Sequence, residues 1–142
     1  MTRSFIILIL LINSMFCWSQ TKKHFWTTDL DNNGHIRAIR GKVMDSALQN
    51  PRSLIKYLNG KKSRTDDQYL NFKKVSGDTL YIRINNTYYM TQQMGSAGAN
   101  LYLAYLTYNL TELNNIKYVN MDFEEGDHAM PGIYSRDRFK KL

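Results

Sequence analysis

The chain has 142 residues, 43% of them hydrophobic, and carries 19 basic against 12 acidic side chains for a net charge of +7. That length suits one domain able to bury well over half of its unfolded surface. The one cysteine, Cys17, excludes a disulfide framework and any metal site built on several thiolates.

Residues 1–20, MTRSFIILILLINSMFCWSQ, have the three parts of an export signal. Arg3 is the positive start, 5–12 is an unbroken apolar run and 14–20 is more polar. The apolar run falls short of the roughly 20 residues that a membrane-spanning helix needs. The segment therefore reads as a signal over 1–19, cut after Ser19, with no transmembrane span left after cleavage. The large Phe16 argues against Cys17 as a lipid-attachment site. The expected location is periplasmic or extracellular, and the exported chain then has no cysteine and relies on its core.

Basic residues are scattered, as at Lys22 and Lys23, Arg37 and Arg40, Lys73 and Lys74, and 136–141. No run is long enough for a nucleic-acid arm, so nucleic acid is not an expected partner. A solvated basic surface is the plain reading, with contact to an anionic envelope polymer as the alternative.

Residues 20–34 read as a short polar lead. Within DLDNNGHIRAIR (29–40), Asp29, Asp31 and Asn33 alternate before Gly34, like the first half of a calcium loop. Positions nine and twelve of such a loop would be Arg37 and Arg40, cations where oxygen ligands are needed. The stretch therefore reads as a turn entering a strand at 35–43. Residues 45–60 read as helical: Asn50 can cap, Pro51 suits the first position, Leu54, Ile55 and Leu58 form the stripe, and Gly60 ends it. A charged surface loop is expected over 61–67. Two strands follow within 69–86 about Ser76, Gly77 and Asp78, with Leu70, Phe72 and Val75 facing inward against Leu80, Ile82 and Ile84.

Residues 87–97 have no period. The longest helical pattern covers 97–113, where Ala99, Leu103, Leu106, Leu110 and Leu113 make one stripe. Tyr102, Tyr105 and Tyr108 make a second beside it, and Glu112 is the only charge. This helix should be buried over more than half its circumference. A last strand is expected over 116–123, and 127–142 reads as a basic C-terminal tail. No internal repeat is present.

GDTLYIRIN, a loop, and then GANLYLAYLTYNLTELNNIKYVNMDFEEG together resemble the GerMN domain of exported bacterial proteins. SALQNPRSLIKYLNG is similar to that family's first helix, so the likeness spans roughly 36–126. The resemblance implies an α+β fold: a small two-layer sandwich whose three- to four-stranded sheet carries two helices on one face. It also implies a non-catalytic, ring-building kind of interaction module. YYMTQQMGSAGA and GDHAMPGIYSRDRF depart from the pattern, and the composition resembles that of exported Bacteroidota proteins.

Two groups of residues are candidate sites. Tyr89, Met94, Tyr105 and Tyr108 are expected as contact surface, because Tyr and Met are enriched at interfaces, while Tyr102 is assigned to the core. The acidic stretch around Asp122, Glu124, Asp127 and His128 is the alternative, as a small metal-assisted or acid–base enzyme. No second histidine lies near it, so no metal or cofactor is expected, and its acids are expected to pair with the basic residues 136–141. MGSAG (94–98) reads as a helix start, with anion binding as its alternative. Asn85 and Asn109 head N-x-T sequons. The sequence thus points to a non-catalytic exported binding or assembly module, acting on a protein partner or on itself.

Overall fold

The structure, a computed structural model, describes residues 22–61 and 68–140. The export signal expected over 1–19 and most of the charged loop expected over 61–67 lie outside the described residues. The fold is α+β, with a two-stranded and a four-stranded sheet. Its strands are β1 (His24–Leu30), β2 (Ile36–Val43), β3 (Tyr69–Ser76), β4 (Thr79–Asn85), β5 (Tyr118–Asp122) and β6 (Gly132–Tyr134). Its helices are α1 (Pro51–Gly60), α2 (Gly95–Leu110) and the short α3 (Arg136–Phe139).

The four-stranded sheet has the order β3-β4-β5-β6. β3 and β4 form a hairpin whose turn contains Gly77 at φ 58°, a left-handed conformation that glycine adopts without side-chain clash. β5 runs parallel to β4, which demands a long crossover, and α2 supplies it. β6 then returns antiparallel to β5. Leu80, Ile82, Ile84, Val119 and Met121 point from the sheet into the core, where they meet Leu54, Ile55 and Leu58 of α1 and the expected leucine stripe of α2. α1 starts as its sequence demands: Asn50 Oδ1 accepts the Ser53 N–H at 3.0 Å, and Pro51 follows. Val75 pairs with Leu80 on the inward face, yet it stays 43% exposed at the end of the sheet.

Two segments differ from the sequence reading. The polar lead is a strand. β1 pairs antiparallel with β2, and the hairpin lies on a second face of α2. The cause is long-range. Asn109 Oδ1 accepts the Trp26 N–H at 3.0 Å, while its Nδ2 donates to the Trp26 carbonyl at 2.9 Å. A helix side chain thereby fills the place of a neighbouring strand. The turn between β1 and β2 is an Asx-type turn in which Asp31 Oδ1 accepts N–H groups from Asn33 and His35, and Asp29 pairs with Arg37. Those hydrogen bonds hold the Asp31 carboxyl below its ordinary range.

The C-terminal stretch is not a free tail either. β6 extends the sheet, and Ala129, Tyr134 and Phe139 are buried, the last two rings stacked 6.0 Å apart. Arg136 leaves the acidic stretch alone and pairs with Glu112 at 2.6 Å. Among the described residues no helix is long and apolar enough to cross a membrane.

Candidate functional site

Strand alternation leaves one face of the four-stranded sheet without a covering layer among the described residues. A single row crosses all four strands there: Lys74 opposite Tyr81, Tyr81 opposite Asn120, and Asn120 opposite Ile133. Lys74 Nζ sits 4.9 Å from the Tyr81 ring centre. In the next row the Arg83 Nη1 donates to both Asp122 carboxylate oxygens at 2.9 Å. Tyr69 and Tyr118 flank these rows at 53% and 41% exposed, and Ile133 is 58% exposed.

The edges of the same sheet are closed to strand addition. Asn59 donates from Nδ2 to the Leu70 carbonyl and accepts the Leu70 N–H at Oδ1, each at 2.9 Å, as Asn109 does for β1. The register of β3 skips from Phe72 to Lys74, a bulge that leaves a lysine on the edge. β6 is three residues long. Both rims therefore disfavour the addition of a further strand.

The segment 87–97, which has no sequence period, contains a π-helix at Tyr89–Gln93 that leads into α2. The turn at 126–130, closed by the Gly126 N–H donating to the Ala129 carbonyl at 3.1 Å, is fastened to it by the His128 N–H, which donates to the Thr91 carbonyl at 3.0 Å. Together with α3 these pieces enclose a cleft of about 330 Å³ whose lining includes Ser96, Asn100, Asp127, His128, Tyr134 and Arg138. His128 Nδ1 lies 3.2 Å from Ser96 Oγ. Gly126 is required by close approach, since a Cβ there would sit 2.7 Å from Thr91 Cβ and 2.8 Å from the Thr91 oxygen. Gly126→Ala is expected to lower stability by about 1–3 kcal/mol. A thermal melt unchanged within a degree would contradict that close packing.

The residues singled out from sequence do not assemble as one site. Asp127 and His128 line the cleft, but Asp122 is on the open sheet face with Arg83, and Glu124 is exposed. Among the described residues no group of three or more His, Cys, Asp or Glu side chains is placed to hold one metal ion. The four residues expected as contact surface are also dispersed. Tyr108 is buried, its ring 5.4 Å from Trp26 and 5.1 Å from the Arg136 guanidinium. Tyr105 is half-buried, and burial together with the neighbouring Tyr57 pushes its phenol pKa up. Met94 packs against Gly98, leaving Tyr89, 40% exposed, as the accessible member. The hairpin β1–β2 covers this side of α2, which is why the tyrosine stripe faces inward. Sequence reasoning missed Tyr69, Tyr118 and Ile133. The clearest signal for that face lay in β4, where Thr79, Tyr81, Arg83 and Asn85 alternate with buried residues.

Comparison with protein-family models, with curated proteins and with solved structures finds no match to this chain.

Proposed function

We propose that this protein is a non-catalytic, exported assembly module of the bacterial cell envelope, joining copies of itself through the open face of the four-stranded sheet. The observation that carries the reading is that face: tyrosines and an isoleucine exposed between closed edges. Aromatic anchors of this kind dominate interface energetics. Its charges favour a second copy over an unrelated acidic or basic partner. A chain with an excess of basic residues repels itself over much of its surface, but here Arg83 lies beside Asp122 and Lys74 one row away, so the face carries both signs of charge and two copies can meet across a two-fold axis. The apolar run behind Arg3 supports export. The likeness to a GerMN module belongs to the same proposal, supported by the order of hairpin, crossover helix and parallel strand.

The test is the solution mass of the chain from residue 20, by light scattering over a range of concentrations. The mass is expected to rise with concentration. Tyr118→Asp combined with Ile133→Asp should return it to the monomer value while leaving the melting temperature within a few degrees, because both side chains are exposed. A monomer at every concentration, or a self-association indifferent to the double variant, would sink the reading.

A further inference from the structure

A second surface lies away from the sheet face. The turn Ser46–Leu48 and the outward side of α1 form an open groove of about 510 Å³, within the range of small-molecule sites. Its walls are Ala47, Leu48 and Tyr57, continued by the Gly60 backbone, and its rim is formed by Lys56 and Lys61. The walls are fixed in place. Phe25 stacks on the Tyr57 ring at 4.9 Å, and Asp45 caps the Ser46–Leu48 turn by accepting the Ala47 N–H at 2.9 Å. That capping bond ties down the carboxylate of Asp45, which precedes the groove residue Ala47 by two positions.

Among the described residues the rim cations have no carboxylate partner. Lys61 Nζ lies 5.4 Å from the Tyr57 ring centre, and neither Lys61 nor Lys56 makes a salt bridge among the described residues. α1 contains Arg52 and Lys56 and no acidic residue. An apolar trough edged by two exposed ammonium groups on flexible stems is complementary to a molecule with a greasy body and one negative end. We propose that this groove binds a single long-chain anionic amphiphile of the fatty-acid type. The alkyl chain lies along Leu48 and Tyr57, and the carboxylate meets Lys56 and Lys61. The assembly face is untouched by this site, so either reading can fail without the other.

The experiment is calorimetric titration of the chain from residue 20, which holds every described element, with dodecanoate below its micellar range. One saturable site per chain is expected, with affinity at least tenfold above that for dodecyl maltoside, whose tail is the same and whose head is neutral. Hexanoate should not bind at the same concentrations, since it lacks the tail. Lys56→Gln with Lys61→Gln should weaken dodecanoate binding tenfold or more, and Ala47→Trp should block it by filling the groove. Melting temperatures of the unliganded variants serve as the control on folding, and the lysine pair, being exposed, keeps the test open if the tryptophan variant is unstable. Equal affinity for the neutral amphiphile would overturn the proposal. So would uptake of several molecules per chain, capture by anionic vesicles without any by monomeric dodecanoate, or indifference to both sets of variants.

Discussion

Asn109→Ala is expected to cost about 3–4 kcal/mol and to loosen the N-terminal hairpin from α2. Asn109 is fully buried, and its amide is used at both ends: it accepts from the Trp26 N–H, and it donates to the carbonyls of Trp26 and Tyr105. Truncation leaves two backbone groups of β1 without partners on the side where no strand lies. Each such orphan costs about 1–3 kcal/mol when buried, and the missing side-chain volume adds to it. In a chain of this size the loss amounts to a fall in melting temperature on the order of 10–15 °C. Trp26 gives a local readout, since the other tryptophan, Trp18, belongs to the expected signal. Its emission should move to the red as the ring leaves Tyr108 for water. Asn109→Asp, with its carboxyl neutral, keeps the acceptor and has one donor where the amide has two, so its effect should be intermediate. An unchanged urea midpoint with unshifted emission would show that β1 is held by its contacts with β2 alone. The same burial means that Asn109, although it heads a sequon, has no free amide to carry a glycan in the folded chain.

The contrast between what was readable in the sequence and what was not follows the range of the interactions. α1 was legible because Asn50, Pro51 and a three-residue apolar stripe are local signals, and the β3–β4 turn was legible because Gly77 sits where the backbone needs it. The stripe of α2 was legible in the same way. β1 was not: HFWTTDL has no clean alternation, and its outward edge is satisfied by side chains more than 80 residues away. β6 is too short to carry a period, and its basic neighbours masked the apolar anchors Tyr134 and Phe139. At the candidate site the parts were visible and their grouping was not. Asp122 and His128 are six positions apart, yet one points from a strand to the open face and the other is drawn to Ser96 by the Thr91 carbonyl. Of the two lysines of the groove, Lys61 read in the sequence only as part of a charged surface loop, and Lys56 carried no signal of its own. Their significance depends on the turn at Ser46–Leu48 folding back beside α1.

Glu112 is the other residue whose replacement should be felt throughout the molecule, and its effect should depend on pH. One carboxylate gathers three parts of the chain. It accepts the His24 backbone N–H at 3.0 Å, the Trp26 Nε1–H at 3.0 Å and the Arg136 Nη2–H at 2.6 Å. Its side chain is 13% exposed and that of Arg136 29%. Burial alone would raise the carboxyl pKa. The hydrogen bonds from Arg136, Trp26 and His24, with the charge of Arg136, outweigh it and hold the group below its ordinary value of 4.5. A depressed carboxylate contributes stability that is fully present above the unfolded value and is lost as pH falls through the folded one. Glu112→Gln keeps the shape and one acceptor but removes the charge, leaving Arg136 a half-covered cation without its counter-ion. At pH 7 the expected cost is about 2 kcal/mol, the difference between charge-assisted and neutral hydrogen bonds at this hub. That gap between variant and parent should stay constant from pH 7 to about 5 and close as the pH falls below 4.5. Arg136→Gln should show the same narrowing, because it removes the partner that the ionised form needs. Urea midpoints of parent and both variants, taken at intervals from pH 7 to 3, measure it directly. A gap that is equal at both ends of that range would mean that the hub acts through packing of Trp26 and Tyr108, and that its charge contributes nothing to holding the two ends of the chain together.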